Sequence, residues 1–245
     1  MTSNIADVVR LLTPTGKLRV GLYLGSPLSL IEDPATLGRN GVGFELGREL
    51  ARRLGVPYDP VVYKQNGEVI AALKSGHVDI LFTNATPARA KEIDFTQPYL
   101  EMDAGYLAPQ DSPIAKFDDV DRPGVRVVAV EGSTSVVKLP GLLKNATVVR
   151  TPNLDGGVEL LTLGRADVFA TNTTILFELS DKLPGSKVLD GRYGVEQIAL
   201  GMAKGKEPAL AYARTFITAV TSGGLVEAAA GRARVRGATV KVDSP

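Results

Sequence analysis

DILFTNATPARAKEIDFTQPY, residues 79–99, is the stretch from which the rest of the chain can be read. It opens as a short apolar strand, Ile80-Leu81-Phe82, and breaks at the polar pair Thr83-Asn84. A turn follows, and Arg89 stands at the start of what reads as a short helix before the chain leaves through Pro98-Tyr99. A buried strand ending in amide and hydroxyl groups, with a cation just beyond, is how an α/β protein presents a site for a small anion. A guanidinium stays charged at any working pH and offers two parallel donors to a carboxylate, so one arginine sets both charge and orientation. The same residue also fits a solvated helix arginine pairing with Glu92 at i+3, worth a few tenths of a kcal/mol.

Upstream, Ile5 to Leu12 reads as a short helix and Leu18 to Leu22 as a first strand ending near Tyr23. A loop rich in Pro and Gly, Gly25 to Gly41, leads to Leu46, Leu50 and Leu54, whose spacing marks an amphipathic helix closed by Gly55. Val61 to Tyr63 is the next strand, and Asn66 is placed to cap a helix carrying Val69, Ile70 and Leu73 that ends at Ser75-Gly76. This β-α-β-α-β run implies a largely parallel sheet with helices on its faces.

Downstream, Ala104 to Ala108 reads as a strand and Gln110 to Arg122 as loop, and at Val125 the pattern starts again. Val125 to Val130 is a strand, Gly132 to Leu142 a turn entering a helix interrupted at Pro140, and Val148-Val149 a strand. Val158 to Leu163 is helical up to Gly164, and a strand from Ala166 to Ala170 ends at Thr171-Asn172. The halves repeat weakly: Gly76-His77-Val78-Asp79 followed by Thr83-Asn84 matches Gly164-Arg165-Ala166-Asp167 followed by Thr171-Asn172. Two lobes of the same build would each place a Thr-Asn pair at the carboxyl end of a parallel strand, where open α/β sheets take ligands. Each pair also fits a plain strand-to-turn transition, which both residues favour.

A strand at Gln197 to Met202, a helix with Ala213, Phe216, Ile217 and Val220 on one face, and an Ala-rich helix near Leu225 to Arg232 complete the chain. They are the pieces expected if the chain returns to its first lobe, with crossings near Ala104 to Pro109 and Tyr193 to Gln197. The expected division is residues 1–105 plus 196–245 for the first lobe and 106–195 for the second.

The 245 residues suffice for two lobes with cores, and 44% apolar and 22% charged residues are ordinary for a globular protein. A net charge of +1 gives no reason to expect nucleic acid or an anionic membrane surface as partner. With no cysteine and one histidine, His77, neither a catalytic triad nor a conventional zinc site can be assembled, and no cofactor is expected. The first ten residues lack the cationic start and apolar core of a signal peptide. Glu131-Gly132-Ser133-Thr134-Ser135, between a strand and a helix, fits an anion cradle of hydroxyls and backbone N–H groups, and equally a capping turn. Gly41-Val42-Gly43-Phe44-Glu45-Leu46-Gly47 has the wrong spacing for a dinucleotide loop.

Leu73 to Asp79, Thr86 to Phe95 and Pro98-Tyr99 resemble the most characteristic stretch of the family 3 solute-binding proteins, the amino-acid-type periplasmic binding proteins of ABC importers. Gly43-Phe44-Glu45-Leu46, Glu131 to Thr134, and Gly164 to Asp167 fall in the family's order, so the resemblance runs from about Leu18 to Ala230. It implies a two-lobed α/β type II binding fold, each lobe a mostly parallel sheet flanked by helices, with a two-strand hinge and an interlobe ligand cleft. It implies a periplasmic monomer, not an enzyme, that captures a small carboxylate-bearing ligand and delivers it to an ABC permease. The residue matching Arg89 holds the ligand carboxylate in the family's amino-acid binders, the position of Thr134 assists, and an aromatic near the first strand's end, here Tyr23, packs on the ligand. Ser133 adds a donor, and Thr83, Asn84, Thr171 and Asn172 read the remainder of the ligand.

Two departures stand out. The family's acidic residue for the ligand ammonium falls on Asn172, which carries no charge, leaving either a ligand without an amine or Glu131 as the substitute acid. The stretch between Asp79 and Thr86 is shorter than in common members. The alternatives on this scaffold are an enzyme like the cyclohexadienyl dehydratases, with Glu131 as general acid, and a leaderless cytoplasmic sensor.

Overall fold

A computed structural model describes residues 4–32 and 38–241. The chain divides into two compact units, residues 1–101 with 197–235 and 239–245, and residues 102–196 with 236–238. Residues 102–105, 196 and 236–238, expected in the first lobe, thus group with the second.

The first unit opens with α1 (Ile5–Leu12), capped by Asn4, whose side chain accepts from the Ala6 N–H at 3.1 Å. β1 (Leu18–Tyr23) follows, then a short hairpin, β2 (Ile31–Glu32) and β3 (Arg39–Asn40), inside the segment read as loop. α2 (Val42–Leu54) buries the Leu46, Leu50 and Leu54 face and ends on Gly55, whose left-handed φ of 67° closes the last turn without the strain of a Cβ. β4 (Tyr58–Tyr63) starts earlier than its apolar core suggested.

α3 (Asn66–Lys74) is not capped by Asn66. Glu68 instead accepts from the Gln65 N–H at 3.2 Å, which leaves the Asn66 side chain to bond Thr83. β5 (Ile80–Asn84) continues through Thr83 and Asn84 instead of breaking before them, because both residues keep partners on a neighbouring strand. α4 (Pro87–Ala90) and β6 (Ile93–Phe95) complete this half. β1 lies between β4 and β5 in parallel, with Val20 opposite both Pro60 and Ile80.

β7 (Leu100–Ala108) carries the chain into the second unit. There β8 (Arg126–Val130) leads to α5 (Thr134–Leu142), which runs through Pro140. Proline removes the bond to residue i−4, but Pro140 stands in the last turn, so little helix remains to be disrupted. β9 (Thr147–Thr151), α6 (Leu154–Thr162) and β10 (Val168–Asn172) follow. α7 (Thr173–Lys182) and β11 (Lys187–Val188) follow, two elements beyond those expected from sequence. β8 lies between β9 and β10 in parallel, while β10 and β11 pair antiparallel with β7.

β12 (Gly194–Ala203) returns the chain to the first unit and pairs antiparallel with β5 and β6, Ile198 lying opposite Asn84. α8 (Glu207–Ser222), α9 (Leu225–Arg232) and β13 (Ala238–Val240) end the chain. Each unit is therefore a parallel three-stranded core edged by antiparallel strands.

The repeat seen in the sequence is structural. Asp79 accepts from the backbone N–H of Arg19 at 2.9 Å and from its Nε at 3.1 Å. Asp167 accepts from the backbone N–H of Arg126 at 2.7 Å and from its Nε at 3.0 Å. The two aspartates also donate their own N–H groups to the carbonyls of Arg19 and Arg126, at 2.8 and 2.9 Å. Each pair locks the start of one parallel strand to its neighbour, and so sets where that strand's other end emerges.

Candidate functional site

In the first unit the expected residues gather at the carboxyl ends of β1 and β5. Thr83 and Asn84 are buried, 4% and 7% exposed, as the last two residues of β5. Arg89 Nη1 donates to Thr83 Oγ1 and to the Asn84 carbonyl, both at 3.0 Å. Thr86 caps α4 by accepting from the Arg89 N–H at 3.2 Å, and Pro87 presets the first helical turn. Glu92, the surface partner considered for Arg89, pairs with Lys74.

Thr83 Oγ1 in turn exchanges hydrogen bonds with the Asn66 side chain, whose Nδ2 lies 3.1 Å away. Asn84 Oδ1 accepts from the Gln197 N–H at 3.0 Å, while its Nδ2 is buried without a hydrogen-bond partner among the described residues. Tyr23 ends β1, half-buried, with its hydroxyl 3.2 Å from Ser26 Oγ.

In the second unit the carboxyl ends of β8 and β10 carry the others. Ser133 is the N-cap of α5, its Oγ accepting from the Val136 N–H at 3.3 Å, and its own N–H goes to the Val130 carbonyl at 3.1 Å. The cap therefore takes up a backbone donor expected for an anion. Thr134, the first helical residue, donates its hydroxyl to Glu196 Oε1. Thr171 and Asn172 end β10 opposite Gly105 and Ala104. Asn172 caps α7, accepting from the Ile175 N–H at 3.1 Å, and its Nδ2 lies 3.3 Å from Glu196 Oε2. Glu131 does not join this group: it is exposed and stands 3.5 Å from Arg150.

Glu196 was not among the expected residues. It lies on β12 and is only 6% exposed. A lone acid in the run Gly194 to Met202 was the available signal, but strand periodicity alone does not say which face meets another strand's polar end. Asn66 was missed because its spacing pointed to a cap. Nearby, Tyr193 OH lies 2.7 Å from Ser135 Oγ, and burial pushes the phenol's pKa well above its ordinary value. Among the described residues no group of three His, Cys, Asp or Glu could hold a metal ion, and no helix is long and apolar enough to cross a membrane.

These two polar strand ends, each capped by a helix start and supplied with a charged side chain, belong to a known class. The chain belongs to the bacterial extracellular solute-binding proteins, family 3, whose model matches residues 18–230. It is 25% identical over 207 residues to the glutamine-binding protein of Geobacillus stearothermophilus, covering 83% of this chain and 79% of that protein. In fold it resembles the crystal structure of the solute receptor for L-cysteine of Neisseria gonorrhoeae, with a TM-score of 0.80, 22% identity and 92% of each chain covered. An ancestral amino acid-binding protein, described as a precursor of cyclohexadienyl dehydratase, aligns with a TM-score of 0.76, 23% identity, and 94% of this chain and 98% of its own covered. The architecture is thus the α/β type II fold of periplasmic amino-acid-binding proteins.

Proposed function

We propose that this protein captures a small carboxylate-bearing solute, an amino acid or related organic anion, and hands it to an ABC permease without turning it over. The observation that carries the reading is the anchored Arg89. A guanidinium fixed through Nη1 to Thr83 and Asn84 loses little further side-chain freedom when a carboxylate arrives. Asn84 Nδ2, a buried donor awaiting an acceptor, stands on a residue that Arg89 already touches. Thr134 and Ser133 add hydroxyls, and Thr83, Thr171, Asn172 and Tyr23 line the remainder. The glutamine-binding relative and the fold's cysteine receptor support an amino acid as the cargo. Membership of an extracellular family supports a location outside the cytoplasm.

Micromolar affinity, about 8 kcal/mol, suffices for capture followed by release. Isothermal calorimetry with L-amino acids on wild type and Arg89→Ala tests the reading. Loss of the guanidinium should weaken carboxylate binding by about 100-fold or more, the scale of a charged hydrogen-bonded pair. Undiminished binding by Arg89→Ala would overturn it.

A further inference from the structure

After α9 the chain joins the second unit for three residues only. Residues 197–235 and 239–245 belong to the first unit, and 236–238 to the second. Both flanks are held within the first unit, where Arg232 pairs with Glu45 of α2 and the Lys241 N–H donates to the Tyr99 carbonyl at 3.0 Å. Between those flanks the segment lies along α7. Thr173 Oγ1 donates to the Gly237 carbonyl at 2.7 Å and Thr174 Oγ1 to the Arg236 carbonyl at 2.8 Å. The Arg236 guanidinium forms two parallel bonds to Asp181, at 3.1 and 2.5 Å, and stands 3.6 Å from Glu178. Its centre lies 5.3 Å from the centroid of the Phe177 ring, over which it packs.

These contacts reach from the first turn of α7 to its last, on the face turned away from Ile175, Leu176 and Leu179, which pack in the core. Thr174 is fully buried, so its hydroxyl depends on an acceptor that the segment supplies. Gly237 suits the close approach: its φ of 68° is left-handed, and a Cβ there would crowd Thr173 and Phe177. The charged contacts are nonetheless of a releasable kind. The Arg236 and Asp181 side chains are 43% and 63% exposed, and an exposed pair holds measurably only when it is bidentate or part of a network, and is screened by salt.

We propose that residues 236–238 are a salt-releasable strap on α7. Docked, the strap covers the outer face of the helix and, through Thr173 and Thr174, steadies Asn172, which caps α7 and ends β10. Lifted, it leaves α7 attached by its core face alone and free to open locally. The strap does not depend on what the polar strand ends bind.

Hydrogen–deuterium exchange on the full chain tests this, read on peptides covering α7 with α6 of the same unit as reference. Raising the salt from about 0.01 M to about 1 M shortens the screening length from about 30 Å to about 3 Å. In wild type this should speed α7 exchange relative to α6 by about two- to fivefold, the scale of an exposed bidentate pair. Arg236→Gln should show the same gain already at low salt, and its gap to wild type should narrow at high salt. Gly237→Ala removes no charge but displaces the strap, and should raise α7 exchange about fivefold or more at either salt. Equal changes in α6 and α7, an α7 unmoved by Arg236→Gln, or a gap that persists at high salt would each overturn the proposal. If either variant does not fold, the wild-type salt response of α7 against α6 still decides.

Discussion

Arg89 Nη1 stands 3.0 Å from the hydroxyl of Thr83, so the penultimate residue of β5 also anchors the arginine six positions later. The same hydroxyl meets Asn66 on α3, which makes Thr83 the junction of a strand end, a helix start and a guanidinium. Thr83→Val keeps the shape and removes the hydroxyl. It should cost about 1–3 kcal/mol of stability, because the buried partners lose their hydrogen bonds, and should weaken carboxylate binding several-fold. Asn66→Ala should lower stability by a similar amount while leaving affinity within twofold. Urea titration and calorimetry on both variants separate the effects, and equal affinity loss in the two would show that Thr83 does not act through Arg89.

Gly157 in α6 shows packing overriding helix propensity. Alanine is favoured over glycine by about 1 kcal/mol within a helix. A Cβ at this position, however, would overlap Cε2 of Phe169, whose ring is fully buried in the second unit's core. Overpacking of this kind costs about 1–3 kcal/mol, so Gly157→Ala should destabilise on balance. Gly141 in α5 meets nothing within 4 Å, and Gly141→Ala should be neutral to mildly stabilising. Melting temperatures that move in the same direction for both variants would contradict this account.

The Asp167–Arg126 pair predicts a pH dependence with a definite sign. Hydrogen bonding from the Arg126 side chain, the largest effect, holds the Asp167 carboxyl below the usual carboxylate range against the opposing effect of partial burial. A carboxyl depressed in the folded state stabilises fully above its unfolded value, about 3.9, and that contribution fades as pH falls through the folded value. Asp167→Asn should therefore be less stable than wild type at pH 7, with the gap narrowing as the pH drops below about 4. Denaturant titrations at pH 7, 5, 4 and 3 would expose the error if the gap stayed constant.

Glu131 is the acid on which a dehydratase reading of the scaffold depended. Its side chain is 49% exposed and stands 3.5 Å from Arg150, apart from the polar strand ends. Incubation with prephenate or arogenate should give no product above the uncatalysed rate. Turnover lost in Glu131→Gln would reinstate the enzyme.

Local chemistry made most of the fold legible. Leucine spacing and a terminal glycine defined α2, and Gly-x-x-Asp before an apolar triplet marked β5 and β10 as counterparts, since an aspartate there bonds the backbone of the adjacent strand. α7 is hard to see in the chain because its cap, Asn172, fits a ligand residue and a strand-to-turn transition equally well, and β5 runs on through Thr83 and Asn84 because β12 pairs with both, a partner that local polarity does not reveal.

The site divides along the same line. Arg89, Thr83 and Asn84 lie within seven residues of one another, so their convergence is written in the order of the chain, and sequence alone determined that end. Glu196 meets Asn172 and Thr134 across 24 and 62 positions, through a strand that returns after most of the second unit has been built. No spacing rule encodes such a meeting, because it depends on which face of β12 turns toward the ends of β8 and β10. Only the tertiary structure decided that Glu196 meets Asn172 and Thr134.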